Sequence, residues 1–162
     1  MHPQNFRSAK ISMSKLFFVD TNILFYAYDT TEISKHKSAR RWLEFLWEKR
    51  VGTLSAQVLA EFSNLALNKI KPGMQQSNVQ SILKTYEAWQ PVQTNTALLR
   101  VALEIQGKFK FSWWDSLILA GAGASQSTYF LTEDLQDRQK IGSITVVNPM
   151  KVIPEAIHTS GD

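Results

Sequence analysis

The chain has 162 residues, enough for one domain that buries roughly two thirds of its unfolded surface, and it has no cysteine, which excludes disulfides and thiolate metal sites. Its 18 Lys and Arg against 14 Asp and Glu leave a net charge of +4, a balance that favours a polyanionic partner without requiring one. No apolar run approaches the roughly 20 residues that cross a bilayer, and the first fourteen residues lack an apolar signal core, so the chain reads as a cytoplasmic protein with no membrane span.

Residues 1–14, MHPQNFRSAKISMS, are polar and without period. They read as a flexible N-terminal extension, with Met13 as an alternative start. From Leu16 to Val19 four consecutive large apolar residues describe a strand covered on both faces, as parallel sheets require. This strand runs straight into Asp20. Open parallel sheets bind ligands beyond the carboxyl ends of their strands, so Asp20 stands where such folds place chemistry; it also fits an Asx turn that opens a helix. After Asn22, a short helical turn is expected over ILFYAY. A longer helix follows, capped by Ser34 and reaching about Arg50, with Ala39, Trp42, Leu43, Leu46 and Trp47 as its buried stripe. Lys35, His36, Lys37, Arg40 and Arg41 crowd its first half. They form either a solvated face, with Arg40 and Arg41 paired to Glu44, or a patch for a nucleic acid backbone. His36 has no second histidine nearby and is not read as a metal ligand.

Gly52 precedes a short strand, TLSA, and Ser55 is the expected N-cap of a helix reaching about Ile70. Val58, Leu59, Phe62, Leu65 and Ala66 mark its inner side, while Gln57, Glu61, Asn64 and Asn68 trace a polar line. Periodicity leaves Glu61 facing either solvent or a polar cleft. Lys71-Pro72-Gly73 ends this element, and a more polar, peripheral helix is expected from Met74 to Trp89. A brief extended piece over Trp89 to Val92 leads to a helix capped by Thr94 or Thr96, carrying Leu98, Leu99, Ala102 and Ile105.

Phe111 to Ser125 reads as an almost wholly apolar, buried helix, whose small residues at 120–124 point to close packing against another backbone. Asp115 lies three residues after Ser112, so it fits a capping box as well as a functional site. Trp113 and Trp114 fit core or interface anchors better than base-stacking platforms. Tyr129 to Leu131 form another short buried strand, with Thr132 able to bond the following turn and Asp134 just beyond. A last strand at 143–149 is stopped by Pro149. The domain therefore spans residues 15–150, and 151–162 read as a polar tail that frays.

Strands separated by helices specify the α/β class, a three-layer α/β/α sandwich whose strand ends share one edge. Asp20 and Asp134 share that edge, and Asp115 joins them if its helix opens there. Crowded carboxylates raise one another's pKa, so such a cluster is tolerable chiefly around a cation. With oxygen ligands alone, that cation is a hard one, Mg²⁺ or Mn²⁺, and the chemistry it suits is phosphodiester hydrolysis. Setting the four acids aside leaves 18 basic against 10 acidic side chains, a surround that draws a phosphate backbone towards the acidic pocket.

VDTNIL at Asp20, SAQVLAEF at Glu61, SWWDSLILAGA at Asp115 and LTEDLQD at Asp134, with VVNP closing the last strand, occur in an order and spacing that resemble the PIN domain. The resemblance covers about Lys15 to Pro149 and is closest to the VapC-type toxin ribonucleases. It implies a parallel sheet of about five strands, often in a homodimer, and endonucleolytic cleavage of RNA. By that resemblance Asp20, Glu61, Asp115 and Asp134 are the catalytic, metal-holding quartet, with Asn22 and Thr132 as polar supports. Lys35, Lys37 and Arg40 are candidate substrate contacts. Glu133 and Asp137 lie close to Asp134 and are its rivals as the fourth acid.

The toxin likeness also implies an antitoxin protein that lays a peptide in the cleft and presents a basic side chain to the acids. Two other readings share the fold: a housekeeping RNA-processing nuclease with the same quartet, and an RNA- or protein-binding module without turnover. A phosphatase with an aspartyl nucleophile would want a second acid two residues after Asp20, where this chain has Asn22.

Overall fold

The computed structural model describes residues 14–158, so the expected extension lies outside the described residues apart from Ser14. Five strands, β1 (Phe17–Val19), β2 (Gly52–Thr53), β3 (Tyr129–Leu131), β4 (Lys140–Ile141) and β5 (Ile144–Val147), form one sheet in the order β2-β1-β3-β5-β4. β1 pairs in parallel with β2 and β3, and β3 with β5, whereas β4 folds back antiparallel on β5. Gly142, at φ +59°, supplies the left-handed backbone of that tight turn. From β1 the chain moves to β2 on one side and later enters β3 on the other. The topological switch of the sheet therefore falls between β1 and β3, where such sheets open a crevice.

The helices are α1 (Thr21–Tyr26), α2 (Ile33–Lys49), α3 (Ala56–Asn68), α4 (Gln76–Tyr86), α5 (Thr96–Phe109), α6 (Trp113–Ala124) and α7 (Pro154–His158). Alternation along β1 shows how they layer. Phe17 stacks on Tyr129 with ring centroids 4.7 Å apart and meets Trp42 and Phe45 of α2. Phe18 points the other way, against Phe130 and towards Gly121 of α6. Helices thus cover both faces, and the expected three-layer sandwich is the observed one. Phe17, Phe18 and Val19 are all buried, which is why their sequence shows no polar alternation.

Several local expectations change. Ser34 lies inside α2, whose N-cap is Glu32, and α5 is capped by Asn95, whose side chain accepts from Leu98 N at 2.9 Å, rather than by either threonine. Ser55 and Ser112 cap α3 and α6 as expected. A Cβ at Gly121 would meet the side chains of Phe18 and Ser55 at 3.4 Å, so this glycine accommodates side chains, while Ala120 packs with Ala102 where α6 lies close against α5. Residues Glu87–Trp89 form a 3₁₀ turn, and of the expected extended piece only Val92 bridges, to Ser55. Val92 N donates to Leu54 O at 3.0 Å and Ala56 N to Val92 O at 2.9 Å, so this segment runs along the sheet beyond β2. Of the expected polar tail, Pro154–His158 form α7, and residues 159–162 lie outside the described residues. Ile157 is buried, and Arg41 pairs with Glu155 at 3.1 Å rather than with Glu44.

Candidate active site

Asp20 ends β1 and is the N-cap of α1, with only 8% of its surface exposed. Its Oδ1 accepts from Thr21 N at 2.7 Å and its Oδ2 from Thr132 Oγ1 at 2.7 Å. Asp20 N donates to Leu131 O at 3.0 Å, which continues the β1–β3 ladder into the switch point and sets Asp20 and Thr132 on its two banks. Thr132 is fully buried and organises what surrounds it. Its Oγ1 also accepts from Asn22 Nδ2 at 3.3 Å and from Asp134 N at 3.1 Å. Glu61 reaches the same place from α3: Thr21 Oγ1 donates to its Oε2 at 3.0 Å, and Gln57 Nε2 to its Oε1 at 2.9 Å. Glu61 therefore turns inward, the alternative that helical periodicity left open.

A small cavity of about 40 Å³ lies between the strand ends, lined by Asp20, Asp115, Thr132 and Asp134 over an apolar floor that includes Ile118, Leu119 and Phe130. Ser112 Oγ accepts from Asp115 N at 3.1 Å, so half of the capping box forms. The reciprocal bond does not, and the Asp115 carboxylate is left exposed at the mouth of the cavity. Of the three neighbouring acids, Glu133 turns to Tyr26 and Lys35, Asp137 accepts from Asn148 N at 2.8 Å, and Asp134 lines the cavity.

Burial pushes the Asp20 carboxyl up to about 7; the Thr132 and Thr21 hydrogen bonds oppose this, and the charges of Asp134 and Glu61 add to it. Elsewhere Glu32, Glu44, Glu48, Glu133, Asp137 and Glu155 each meet a basic side chain. Among the described residues Asp20, Glu61, Asp115 and Asp134 have no such ion pair, and neither have Asp29, Glu87 and Glu104. Asn22 Oδ1 and Gln57 Oε1 are also buried without a hydrogen-bond partner. Among the described residues no three acids or histidines stand close enough to hold an ion as they are. The Asp115 and Asp134 carboxylates are nevertheless exposed and unbonded, free to turn about their side-chain torsions. A set of oxygen donors with an under-compensated buried carboxylate fits a hard divalent cation.

The basic residues of α2 divide. Lys35 Nζ lies 3.3 Å from Glu133 Oε2 and donates to Tyr26 Oη at 3.3 Å, so its charge is engaged within the protein. Arg40 pairs with Glu44 at 3.4 Å, and Lys37 is exposed beside Arg41 on a shallow groove against α7. His36 bonds through its Nδ1 to the Tyr26 carbonyl at 2.9 Å. Thr21 and Gln57, which hold Glu61, were not singled out for the site from sequence. The four-residue spacing of Gln57 and Glu61 was their one readable signal.

A family model described as PIN domain matches residues 17–140. Among solved structures, a toxin–antitoxin complex from Klebsiella pneumoniae contains a similar chain, with a TM-score of 0.59 and 20% identity over 83% of this chain and 98% of that one. The VapC20 toxin of Mycobacterium tuberculosis, described as cleaving the sarcin–ricin loop, is similar with a TM-score of 0.56 and 20% identity, over 70% of this chain and 86% of that one. No curated protein sequence matches significantly. At such identities the structural likenesses speak to the fold, while the family match covers most of the chain: this protein belongs to the PIN domain family.

Proposed function

We propose that this chain is a metal-dependent endoribonuclease and the toxin of a toxin–antitoxin pair. The observation that carries the proposal is the gathering of Asp20, Glu61, Asp115 and Asp134 at the switch point of a parallel sheet with no basic side chain to neutralise them. Asp20, Asp115 and Asp134 would hold Mg²⁺ or Mn²⁺, with Glu61 at their flank. When bound, such an ion lowers the pKa of a coordinated water and offsets charge on the leaving oxygen. The protein's own part is positional. Thr132 and the Thr21 amide fix the two Asp20 oxygens, Thr21 and Gln57 fix Glu61, and the excess of basic residues draws the RNA backbone in.

The toxin assignment draws on the likeness to a chain found in a toxin–antitoxin complex. The antitoxin would present a basic side chain to these acids, supplying the charge they lack. Asp20→Asn and Asp115→Asn should keep the wild-type circular dichroism spectrum. Both should lose RNA cleavage in Mg²⁺ or Mn²⁺ by more than the roughly 10–100-fold that outer partners of a metal are worth. Undiminished cleavage by both variants would refute the assignment. RNA binding without products at any metal concentration would favour a binding module.

A further inference from the structure

We infer that Tyr26, Lys35 and Glu133 form a positioning clamp that aims Asp134 at the metal site, an inference that rests on the reading of that site given above. Thr132, Glu133 and Asp134 follow β3 as consecutive residues with three different destinations. Thr132 points inward to Asp20, Asp134 lines the cavity, and Glu133 reaches across to the helices. What sends it there is a closed triangle. The Tyr26 hydroxyl donates to Glu133 Oε1, Lys35 Nζ donates to Tyr26 Oη at 3.3 Å, and Lys35 Nζ lies 3.3 Å from Glu133 Oε2. The ammonium also sits 4.8 Å from the centre of the Tyr26 ring.

Asn22 and Tyr26 are four residues apart on α1 and so share a face. They grip adjacent residues of the loop: Asn22 bonds Thr132, and Tyr26 bonds Glu133. The helix that Asp20 caps therefore holds the segment carrying Asp134 at two successive points, and Lys35 ties the second of them, Glu133, to α2 as well. Two consequences follow. The Asp134 backbone, with its amide on Thr132 Oγ1 at 3.1 Å and its predecessor anchored, is held at the rim of the cavity, and its exposed carboxylate turns from that fixed root. Glu133, a second acid that could compete for the cation, is neutralised and kept away.

This is a positioning role, as none of the three side chains lines the cavity. It makes a signed claim. Lys35→Met removes a positive charge near a cation site, so simple electrostatics calls for tighter Mn²⁺ binding, whereas loss of the clamp calls for weaker binding. Tyr26→Phe leaves charge unchanged. Calorimetric titration of the full chain with MnCl₂ should show Mn²⁺ affinity reduced about tenfold in both variants. Lys35→Arg should restore it to near wild type, and the metal-free melting temperatures should stay close together. The metal concentration for half-maximal RNA cleavage should rise in proportion, with the rate at saturating metal little changed. Unchanged or tighter Mn²⁺ binding by Lys35→Met together with unchanged binding by Tyr26→Phe overturns the clamp, whatever happens to cleavage. A wild type that binds Mn²⁺ but cleaves no RNA refutes the nuclease reading and leaves the clamp standing on the calorimetry; a wild type that binds no Mn²⁺ overturns both.

Discussion

At the residue scale, Asp20 is a costly side chain to bury. Its carboxyl is raised from 3.8 to about 7, chiefly by desolvation, so between those values the folded metal-free chain keeps a proton that the unfolded chain has released. Stability must then fall as pH rises through that window, by about 1.4 kcal/mol per pKa unit of difference, or a few kcal/mol in all. Asp20→Asn removes the slope. The variant should melt above the wild type at pH 8 without metal, and below it near pH 4.5, where the neutral wild-type carboxyl keeps both of its hydrogen bonds. Parallel melting curves across pH would show that Asp20 is not the group responsible. The acids themselves were legible in the sequence because each sits beside a recognisable element boundary or on a polar helical line. Their partners were not. Whether Thr21 turns to Glu61, or Tyr26 to Glu133, depends on the rotation of a six-residue helix, and so short a segment has too few apolar positions to set its phase.

At the element scale, the long helices followed from periodicity, and α6 from its apolar composition. Two strands escaped or were misplaced for a plain reason. β2 and β4 have two residues each, below the length at which alternation can be seen, and β4 was betrayed only by the Gly142-Ser143 pair between Ile141 and Ile144. The α5 cap went to Asn95, a neighbour of the expected threonines, since several polar residues precede that helix, while at α2 the N-cap position falls on Glu32, whose side chain makes no capping bond. Gly52 shows how a two-residue strand is held: a Cβ there would overlap the Trp89 ring, which lies across it. Gly52→Ala should lower the urea midpoint by an amount equivalent to about 1–3 kcal/mol, with the denaturant slope unchanged. A midpoint equal to wild type would mean that Trp89 moves aside at little cost. Ser112→Ala should cost about 1 kcal/mol through the loss of the α6 cap, measured in the same way.

At the scale of the whole molecule, layering was readable because strands and helices alternate, and the switch point between β1 and β3 explains why residues as far apart as Asp20 and Asp134 meet. The sequence could not reveal how the two strands flank one another, since strand order depends on long-range pairing. If the proposed function holds, a net charge of +4 with four of the 14 acids set aside at the site makes RNA affinity largely a matter of counterion release. Binding of the Asp115→Asn chain to a single-stranded RNA, measured by fluorescence anisotropy, should weaken steeply and log-linearly with salt. An affinity indifferent to salt would exclude the basic surround as the attracting feature. The two margins of the sheet carry a different consequence. One is the two-residue β2, shadowed by the Val92 segment, and the other is the two-residue β4 with exposed Lys140. Neither offers a stranger's backbone a long rail of free amides and carbonyls, so among the described residues neither sheet margin is a template for edge-to-edge stacking into fibrils.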